Sequence, residues 1–546
     1  MPKKSPIHII PFGGVGEMGM NLMLIRIGES YLMIDCGVQF PDPSNLGVEK
    51  LLPNIEFLSN IKNRLIGIVL THGHEDHIGA LRWVLEKEPV PIMGTRFTLE
   101  LVREKLREFD LGEQLDCREI KPGDKVDLAE FKLRFLSVTH SIPGCVAVAV
   151  ETEQGHIVHT GDYRIDPSPA DGIPFDSQGF AELGQEGVAL LLSDSTNALV
   201  PGHTMSEAAV GENLEELIKS WKGRVIVTLF SSNLYRVSSI FKIAQKVDRT
   251  LCLVGRSLET YIQVGRATTK LDLPDPDTLP SLSDSLGIPN KRMLIVCTGS
   301  QAEPRSALVQ AASGNHKSFV IGEGDLVLFS SRVIPGNERR VHRMINLLMR
   351  QGAQCITRNK KPIHASGHAK RDELAEMLKL TTPKFFVPIH GEYSFLQGHR
   401  KLAEAHGDAQ SKVITNGDVL ELEPSGLKVI ARVDATPFYD DGATIGTAEE
   451  IKLHEKRKMA WNGAVSAHIK LREDKSYQVS IQSGGLFSNE GQLDLEAEKA
   501  ISLDLGELPS TLPPESFLEQ ATQITKRFYR KRFHKRPLVF VRVERY

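Results

Sequence analysis

The sequence predicts an α/β protein of layered sheets, divided into more than one domain. Three observations carry this. The chain has 546 residues, more than one hydrophobic core usually organises. Several apolar runs of strand length end in histidine or aspartate. Between residues 208 and 360, strand patterns alternate with helical ones in the βαβ rhythm of a parallel sheet. Composition agrees with a soluble globular chain, at 41% hydrophobic and 25% charged residues. No apolar run reaches the length of a membrane span, so no membrane is expected as a partner. Met1 to Pro6 is followed by only Ile7-His8-Ile9-Ile10 before glycines begin, too short for a signal peptide. Cys36, Cys117, Cys145, Cys252, Cys297 and Cys355 are scattered singly, which argues against a disulfide framework and for a reduced, cytoplasmic location. Net charge is −3, so any field that attracts nucleic acid must be local.

The first elements are strands. Pro11 to Gly19 is glycine-rich but leads into the strand pattern Asn21–Ile27, which suits a turn between strands better than a nucleotide-binding loop. Tyr31 to Gly37 is an apolar strand ending in Asp35, either a turn residue or a partner that fixes a ligand histidine. Leu65–Leu70 reads as a buried strand and Ile78–Leu85 as a helix start. Between them stands Thr71-His72-Gly73-His74-Glu75-Asp76-His77. Three imidazoles and the Asp76 carboxylate on one strand-to-helix loop are the ligand types that zinc-like cations prefer.

The pattern then repeats. Phe131–Ser137 leads to His140, His156–Thr160 to Asp162, Val188–Ser193 to Asp194, and Lys384–Ile389 to His390. In layered α/β proteins the carboxyl ends of strands converge on one edge, so these groups can meet the opening motif. His156 and His159 lie within a strand and read as packed or exposed sheet residues.

In the middle of the chain, Arg224–Leu229, Thr250–Val254, Met293–Cys297 and Asp325–Phe329 are strand patterns, with helical patterns at 212–221 and 236–247. Three following loops share small hydroxyl, amide and glycine residues: Phe230-Ser231-Ser232-Asn233, Thr298-Gly299-Ser300-Gln301, and Ser330 to Asn337. One such loop is ordinary helix capping. Three of them with Arg332 point to a phosphate-lined groove. His364-Ala365-Ser366-Gly367-His368 sets two histidines around a Ser-Gly turn before a helix at 371–380. Asp440–Glu450 reads as linker or sheet edge. A last small domain follows, with a strand at 463–470, a helix at 516–524 and the basic, aromatic run Lys526 to Arg536. That run suits a phosphodiester backbone and unstacked bases; a solvated face or an oligomer edge explains it equally well.

These residues together resemble a known family. The His-x-His-x-Asp-His loop, His140, Asp162 and a late histidine resemble the metallo-β-lactamase hydrolases. The α/β insertion before His368 and His390 resembles the β-CASP nucleases, and the loops at 298–301, 334–338 and 364–368 look like those of bacterial ribonuclease J. The resemblance covers about residues 7 to 445. It implies an αββα metallo-β-lactamase sandwich formed by residues 1–207 and 361–445. It also implies an inserted α/β β-CASP domain at 208–360, a linker at 446–455 and a small α+β domain at 456–546. It implies two divalent cations, zinc by ligand type, with manganese also suited to two-metal phosphodiester chemistry. His72, His74 and His140 would hold one; Asp76, His77 and His390 the other; Asp162 would bridge them, with Asp35 behind the ligands. Asp194 would orient His368 as proton donor, with Asp76 counted in the catalytic set. Ser232, Asn233, Ser300, Ser331, Arg332, His364 and Ser366 match positions expected to face RNA phosphates.

The activity implied is hydrolysis of single-stranded RNA, 5′-to-3′ from 5′-monophosphate ends and also internally, in RNA maturation and mRNA decay. A homodimer or homotetramer, with RNA-decay or ribosome-associated partners, is implied as well. Tyr235 departs from the family pattern, where histidine is expected. The alternatives are a DNA-acting β-CASP enzyme, a small-ester metallo-hydrolase and an inactive scaffold subunit. The phosphate-type loops argue against the esterase, and the complete ligand set argues against the scaffold.

Overall fold

A computed structural model describes residues 6–42, 44–112, 114–407, 409–472, 476–486, 492–509 and 512–545. Met1 to Ser5, part of the N-terminal reading, lie outside the described residues. The chain divides into two compact units. One comprises the residues up to Gln39 with Leu52–Thr436; the other comprises Phe40–Leu51 with the chain from Pro437 onward.

The first unit is built on two large sheets. An 8-stranded sheet runs, edge to edge, Gly426–Arg432, Asp418–Glu423, Ile7–Gly13, Leu22–Ile27, Ser30–Ile34, Leu65–Val69, Ile92–Gly94 and Cys117–Glu119. A 7-stranded sheet runs Gln410–Ser411, Phe385–Ile389, Val188–Asp194, Gly155–His159, Val146–Thr152, Phe131–Ser137 and Lys125–Leu128. One continuous core lies between them. Ile7, Ile9, Ile25, Leu32, Ile34 and Val69 come from the first sheet, and Phe131, Leu133, Phe135, Val148, Leu190, Leu192 and Val387 from the second. These residues alternate along their strands, as the two-residue period of a pleated strand requires. Helices cover the outer faces: Arg96–Arg107 over the first sheet, Ser177–Glu186 and Tyr393–His406 over the second. Strands buried on both faces, such as Val188–Asp194 and Phe385–Ile389, read as unbroken apolar runs for that reason.

The insertion leaves from Val188–Asp194 and returns to Phe385–Ile389, its parallel neighbour in the sheet. In between stands a third, wholly parallel 5-stranded sheet: Thr250–Val254, Met293–Cys297, Val225–Thr228, Leu326–Phe329 and Gln354–Thr357. The last of these strands was not expected from the sequence. Leu234–Lys246, Arg256–Thr268, Ala307–Ala312 and Glu338–Arg350 supply the helices of the βαβ units.

The second unit carries a 3-stranded sheet, Tyr477–Gly484, Ala464–Leu471 and Leu538–Arg545 in that order. Helices Gln492–Gly506 and Pro514–Phe533 pack on one face, around Val465, Ala467, Ile469, Ile481, Ala497, Phe517 and Tyr529. Phe438–Asp440 pairs with Ile445–Gly446 in this unit, where the sequence suggested a linker or sheet edge. Helix Leu453–Asn462, anchored by buried Leu453, starts within the stretch expected as linker. The basic run is the end of the long helix Pro514–Phe533 and the turn after it.

Candidate metal centre

Strand ends deliver the site. Leu65–Val69 runs into His72 and His74, and the short helix Glu75–Ile78 carries Asp76 and His77. Phe131–Ser137 leads to His140, Gly155–His159 to Asp162, Val188–Asp194 ends on Asp194, and Phe385–Ile389 leads to His390. Asp35 and His390 both adopt left-handed backbone, at φ +60° and +51°. Such conformations in non-glycine residues gather where surrounding structure fixes a functional geometry.

The hydrogen bonds decide which ring nitrogen each histidine offers. The Thr71 hydroxyl donates to Asp35 Oδ2 at 2.7 Å, so it accepts from His72 Nδ1–H at 3.0 Å and leaves His72 Nε2 bare. His77 Nδ1–H donates to Asp35 Oδ2 at 2.7 Å, and His140 Nδ1–H to the Gly367 carbonyl at 2.6 Å. The Thr196 hydroxyl donates to Asp194 Oδ1 at 2.7 Å and accepts from His390 Nδ1–H at 2.8 Å. Four imidazoles thus have Nδ1 tied down and Nε2 turned into the site, the arrangement that metal-ligating histidines adopt; the His77 nitrogen there lies 3.0 Å from Asn21 Nδ2.

Those atoms converge. His74 Nδ1 lies 3.0 Å from His72 Nε2 and 3.2 Å from His140 Nε2. Nitrogens held at ~2.1 Å by a tetrahedral cation would stand about 3.4 Å apart, close to this spacing. Asp76, His77, Asp162 and His390 form a second group of mutually close ligand atoms. Asp76 Oδ2 is 3.6 Å from both His77 Nε2 and His390 Nε2. Asp162 Oδ2 is shared: 3.3 and 3.4 Å from His77 and His390, 3.8 and 3.9 Å from His72 and His140. His390 Nε2 is buried and has no hydrogen-bond partner. A buried nitrogen with no hydrogen bond among the described residues, facing two carboxylates, suits a cation ligand. The residues present therefore fit two divalent cations, and the protein has a two-metal cofactor site.

Electrostatics agree. Burial pushes the His72 and His140 imidazoles well below their ordinary pKa, and His74 down to about 4, so all three are neutral bases. Burial also opposes charge on His77 and His390. There the carboxylates win: Asp162, Asp76 and Asp35 around the first, Asp162, Asp194 and Asp76 around the second, and both imidazoles are held well above the usual value. Burial raises Asp76, Asp162 and Asp194, yet the adjacent imidazoles hold all three well below the carboxylate range. A proton on His77 or His390 and a divalent cation compete for the same carboxylate-rich position.

Asp194 connects this centre to His368. Its Oδ2 accepts from His368 Nδ1 at 2.8 Å, and its Oδ1 accepts from the Thr196 amide at 2.9 Å. Asp194 is 1% exposed, whereas the His368 side chain is 19% exposed. The loop before His368 is held from beneath. Buried Arg236, from the inserted domain, donates to the Ile363 carbonyl at 3.0 Å, and buried Arg164 donates to the Ser366 carbonyl at 3.1 Å. Two glycines leave room for this packing. A Cβ on Gly367 would lie 2.5 Å from His140 Cε1, and one on Gly37 would lie 1.6 Å from the Asp76 carbonyl oxygen.

The expected phosphate-facing residues divide. Ser232 reaches out of the inserted domain to His74, 3.1 Å from Nε2. Arg332 donates to Asn197 Oδ1 at 2.6 Å, and Ser331 is buried beside it. His364 is pushed well below its ordinary pKa by burial, and then by Arg236 and Arg358; its Nδ1 is buried without a partner. Asn233 Oδ1 caps helix Leu234–Lys246 by accepting from the Arg236 amide at 3.1 Å. Ser300 is 1% exposed. Ser366 Oγ accepts from Asn197 Nδ2 at 2.9 Å and from the His368 amide at 3.2 Å. Tyr235, the departure from family pattern, is buried and donates to Asp171 at 2.8 Å.

Sequence reasoning missed Asn21, Thr71 and Thr196. Asn21 Nδ2 donates to the Asp76 carbonyl at 3.0 Å. Its one local signal is Gly14, at φ +79°, whose Cβ would lie 2.0 Å from Asn21 Oδ1. His156 and His159 stay out of the centre. The first bonds Glu186 at 2.9 Å, and the second accepts from the Gly161 amide at 3.1 Å.

Comparison with known proteins follows the same divisions. Residues 15–219 match the metallo-beta-lactamase superfamily, residues 222–348 the ribonuclease J beta-CASP domain, and residues 357–415 the Zn-dependent metallo-hydrolase RNA specificity domain. Ribonuclease J of Thermus thermophilus is 35% identical over 542 residues, covering 98% of this chain and 94% of the relative. Ribonuclease J of Synechocystis is 39% identical over 464 residues, 84% of this chain and 72% of the relative. That of Sinorhizobium meliloti is 37% identical over 477 residues, covering 86% and 84%. A crystal structure of a protein of unknown function from Enterococcus faecalis aligns with TM-score 0.55 at 15% identity, over 77% of this chain and 100% of that one, a likeness of fold alone.

Fold and site define a metal-dependent hydrolase acting on phosphodiester bonds, a metallo-β-lactamase sandwich with an inserted β-CASP domain. Within that class, the chain belongs to the ribonuclease J family, and RNA is its substrate. Among the described residues no helix is long and apolar enough to cross a membrane, and all six cysteines are free.

Proposed function

We propose that this chain degrades single-stranded RNA 5′-to-3′ from 5′-monophosphorylated ends, releasing nucleoside 5′-monophosphates, and also cuts internally. The carrying observation is the Asp194–His368 pair beside two ligand groups that both approach Asp162 within 4 Å. Two divalent cations, when bound, supply hydroxide near neutral pH and neutralise charge on the phosphodiester. Zinc suits this donor set, and manganese suits the same chemistry.

The protein's own groups do the rest. His72, His74 and His140 would hold one cation and Asp76, His77 and His390 the other, with Asp162 within reach of both groups. Asp35, through His77 and Thr71, fixes ligand orientation. Ionised Asp194 accepts from His368 Nδ1–H and orients the ring; in the imidazolium form Nε2 also carries a proton, which it gives to the departing ribose oxygen. Ser232, Ser331, Arg332 and His364 face the RNA phosphates, while Asn233, Ser300 and Ser366 shape the loops that present them. Residues 1–207 with 361–445, 208–360 and 456–546 act as the three working domains. Assembly as a homodimer or homotetramer, with RNA-decay or ribosome-associated partners, belongs to the same reading.

The test is digestion of one RNA bearing a 5′-triphosphate, 5′-monophosphate or 5′-hydroxyl, beside the same sequence as DNA. The expected result is mononucleotide release from the monophosphate RNA alone, with internal fragments from all three. Equal ladders from every 5′ end would refute the end preference. Faster cleavage of the DNA would favour the DNA-acting reading.

A further inference from the structure

The basic run Lys526 to Arg536 takes no part in the centre described above. It closes helix Pro514–Phe533, whose Phe517, Ala521, Ile524, Thr525 and Tyr529 face inward. Lys526, Arg527, Arg530, Lys531, Arg532, Lys535 and Arg536 are all exposed. Arg527 and Arg532 are engaged by Asp504 and Glu496, at 2.8 and 3.6 Å. Lys526, Arg530, Lys531 and Arg536 make no ion pair with any described residue.

Past the helix, the chain folds back against the end of Leu453–Asn462. Lys535 Nζ donates to the Trp461 carbonyl at 2.9 Å, the Arg536 amide to Asn462 Oδ1 at 3.1 Å, and the Leu538 amide to the Gly463 carbonyl at 3.0 Å. This turn therefore fixes Trp461, 74% exposed, at the margin of the cationic surface. Strand Leu538–Arg545 then places Phe540, 53% exposed, opposite Ser466 on the sheet face away from the helices, with Arg542 next on that face. Val465, Ala467 and Ile469, the alternate residues, fill the core. Trp461, a large aromatic left in water on a fixed backbone beside Lys535 and Arg536, forms with these cations a surface lacking its complement, whereas Phe540 lies on the other face of the sheet. The complement has negative charge at regular spacing and flat apolar faces. Single-stranded nucleic acid has both, and RNA is what this chain acts on.

We propose that the C-terminal unit carries a second contact for single-stranded RNA. In it Trp461 stacks on a base, while Lys526, Arg530, Lys531, Lys535 and Arg536 hold phosphates. The contact reads charge and base faces, so it is indifferent to sequence. It rests on the reading that RNA is the substrate, and it gives a long RNA a second point of attachment.

The experiment measures binding of labelled oligouridylates of about 5 and about 30 nucleotides, lengths that separate a single site from two points of attachment. The full chain is used with His77→Ala, so that the RNA survives. With Trp461→Ala added, the long RNA should bind about 5- to 10-fold more weakly and the short one as before. With Lys531→Glu and Arg536→Glu added, the salt slope for the long RNA should fall by about 0.7 for each cation removed. Equal losses for both lengths, or none for the long RNA, overturn the proposal. So does a change of oligomeric state by light scattering that alone accounts for the weaker binding, which would make the patch a contact between copies of the chain. Cleavage of the short RNA by the protein with His77 intact tests the nuclease reading separately.

Discussion

Replacing Asp35 by asparagine should uncouple the ligands without unfolding the chain. Asn tolerates left-handed backbone as Asp does, so the +60° φ at this position is no obstacle. The carboxylate accepts three hydrogen bonds: Oδ1 from the Thr71 amide at 2.8 Å, and Oδ2 from the Thr71 hydroxyl and His77 Nδ1, both at 2.7 Å. An amide offers one oxygen. If it replaces Oδ2, the new NH2 meets the Thr71 N–H; if it flips, the NH2 meets His77 Nδ1–H and the Thr71 hydroxyl. Either way a buried donor is orphaned, at a cost of about 1–3 kcal/mol. The disturbance reaches His77 directly and His72 through Thr71, so both ligand groups feel it. Loss of such a supporting partner typically weakens metal binding by about 10- to 100-fold, or ~1.4–2.8 kcal/mol. Competition between the protein and a chelator of known affinity measures this, with circular dichroism confirming the fold. Affinity for both cations within about twofold of the parent would refute the argument, because the orphaned donor would then have no consequence at the ligands.

Other outcomes follow from the same geometry. His368→Ala should lower kcat by about 10²- to 10⁴-fold while two cations per chain remain bound; loss of a cation by elemental analysis would instead make His368 a ligand. Gly37→Ala should abolish cleavage and reduce metal content, because its Cβ would stand 1.6 Å from the Asp76 carbonyl oxygen and must displace the ligand loop. Glu17 is raised to about 7, chiefly by burial against the lowering bond from Asn416. The folded chain therefore holds a proton there that the unfolded chain releases near 4.5, so stability falls as pH rises from about 4.5 to about 7. Glu17→Gln should raise the melting temperature at pH 8, by up to about 3 kcal/mol in stability, and change little at pH 4. An equal effect at both pH values would contradict it.

The clustering of the candidate ligands was legible because each lies at or just beyond an apolar run, and strand ends in such folds share an edge. His72 to His77 needed only local sequence. His140, Asp162 and His390 needed the assumption that their strands line up, and the order of the 7-stranded sheet supplies it. What stayed hidden depends on contacts between distant segments. Nothing near Thr196 announces that it bridges Asp194 and His390, and Gly14, the one local signal beside Asn21, does not name Asp76 as its partner. Asn233 shows a second limit. An asparagine that caps a helix and one that faces a phosphate have the same neighbours, and the cap accounts for its side-chain oxygen here. The expected helix at 516–524 proved longer because Thr525 and Tyr529 carry its buried stripe onward through the basic run.

Titration of the metal-free chain with zinc or manganese, following bound cation and RNA cleavage in one experiment, tests the central claim most directly. The account predicts two cations per chain, cleavage that appears only as the second site fills, and neither cleavage nor full loading in His77→Ala. Cleavage that persists in the metal-free chain, or saturates at one cation, would contradict it.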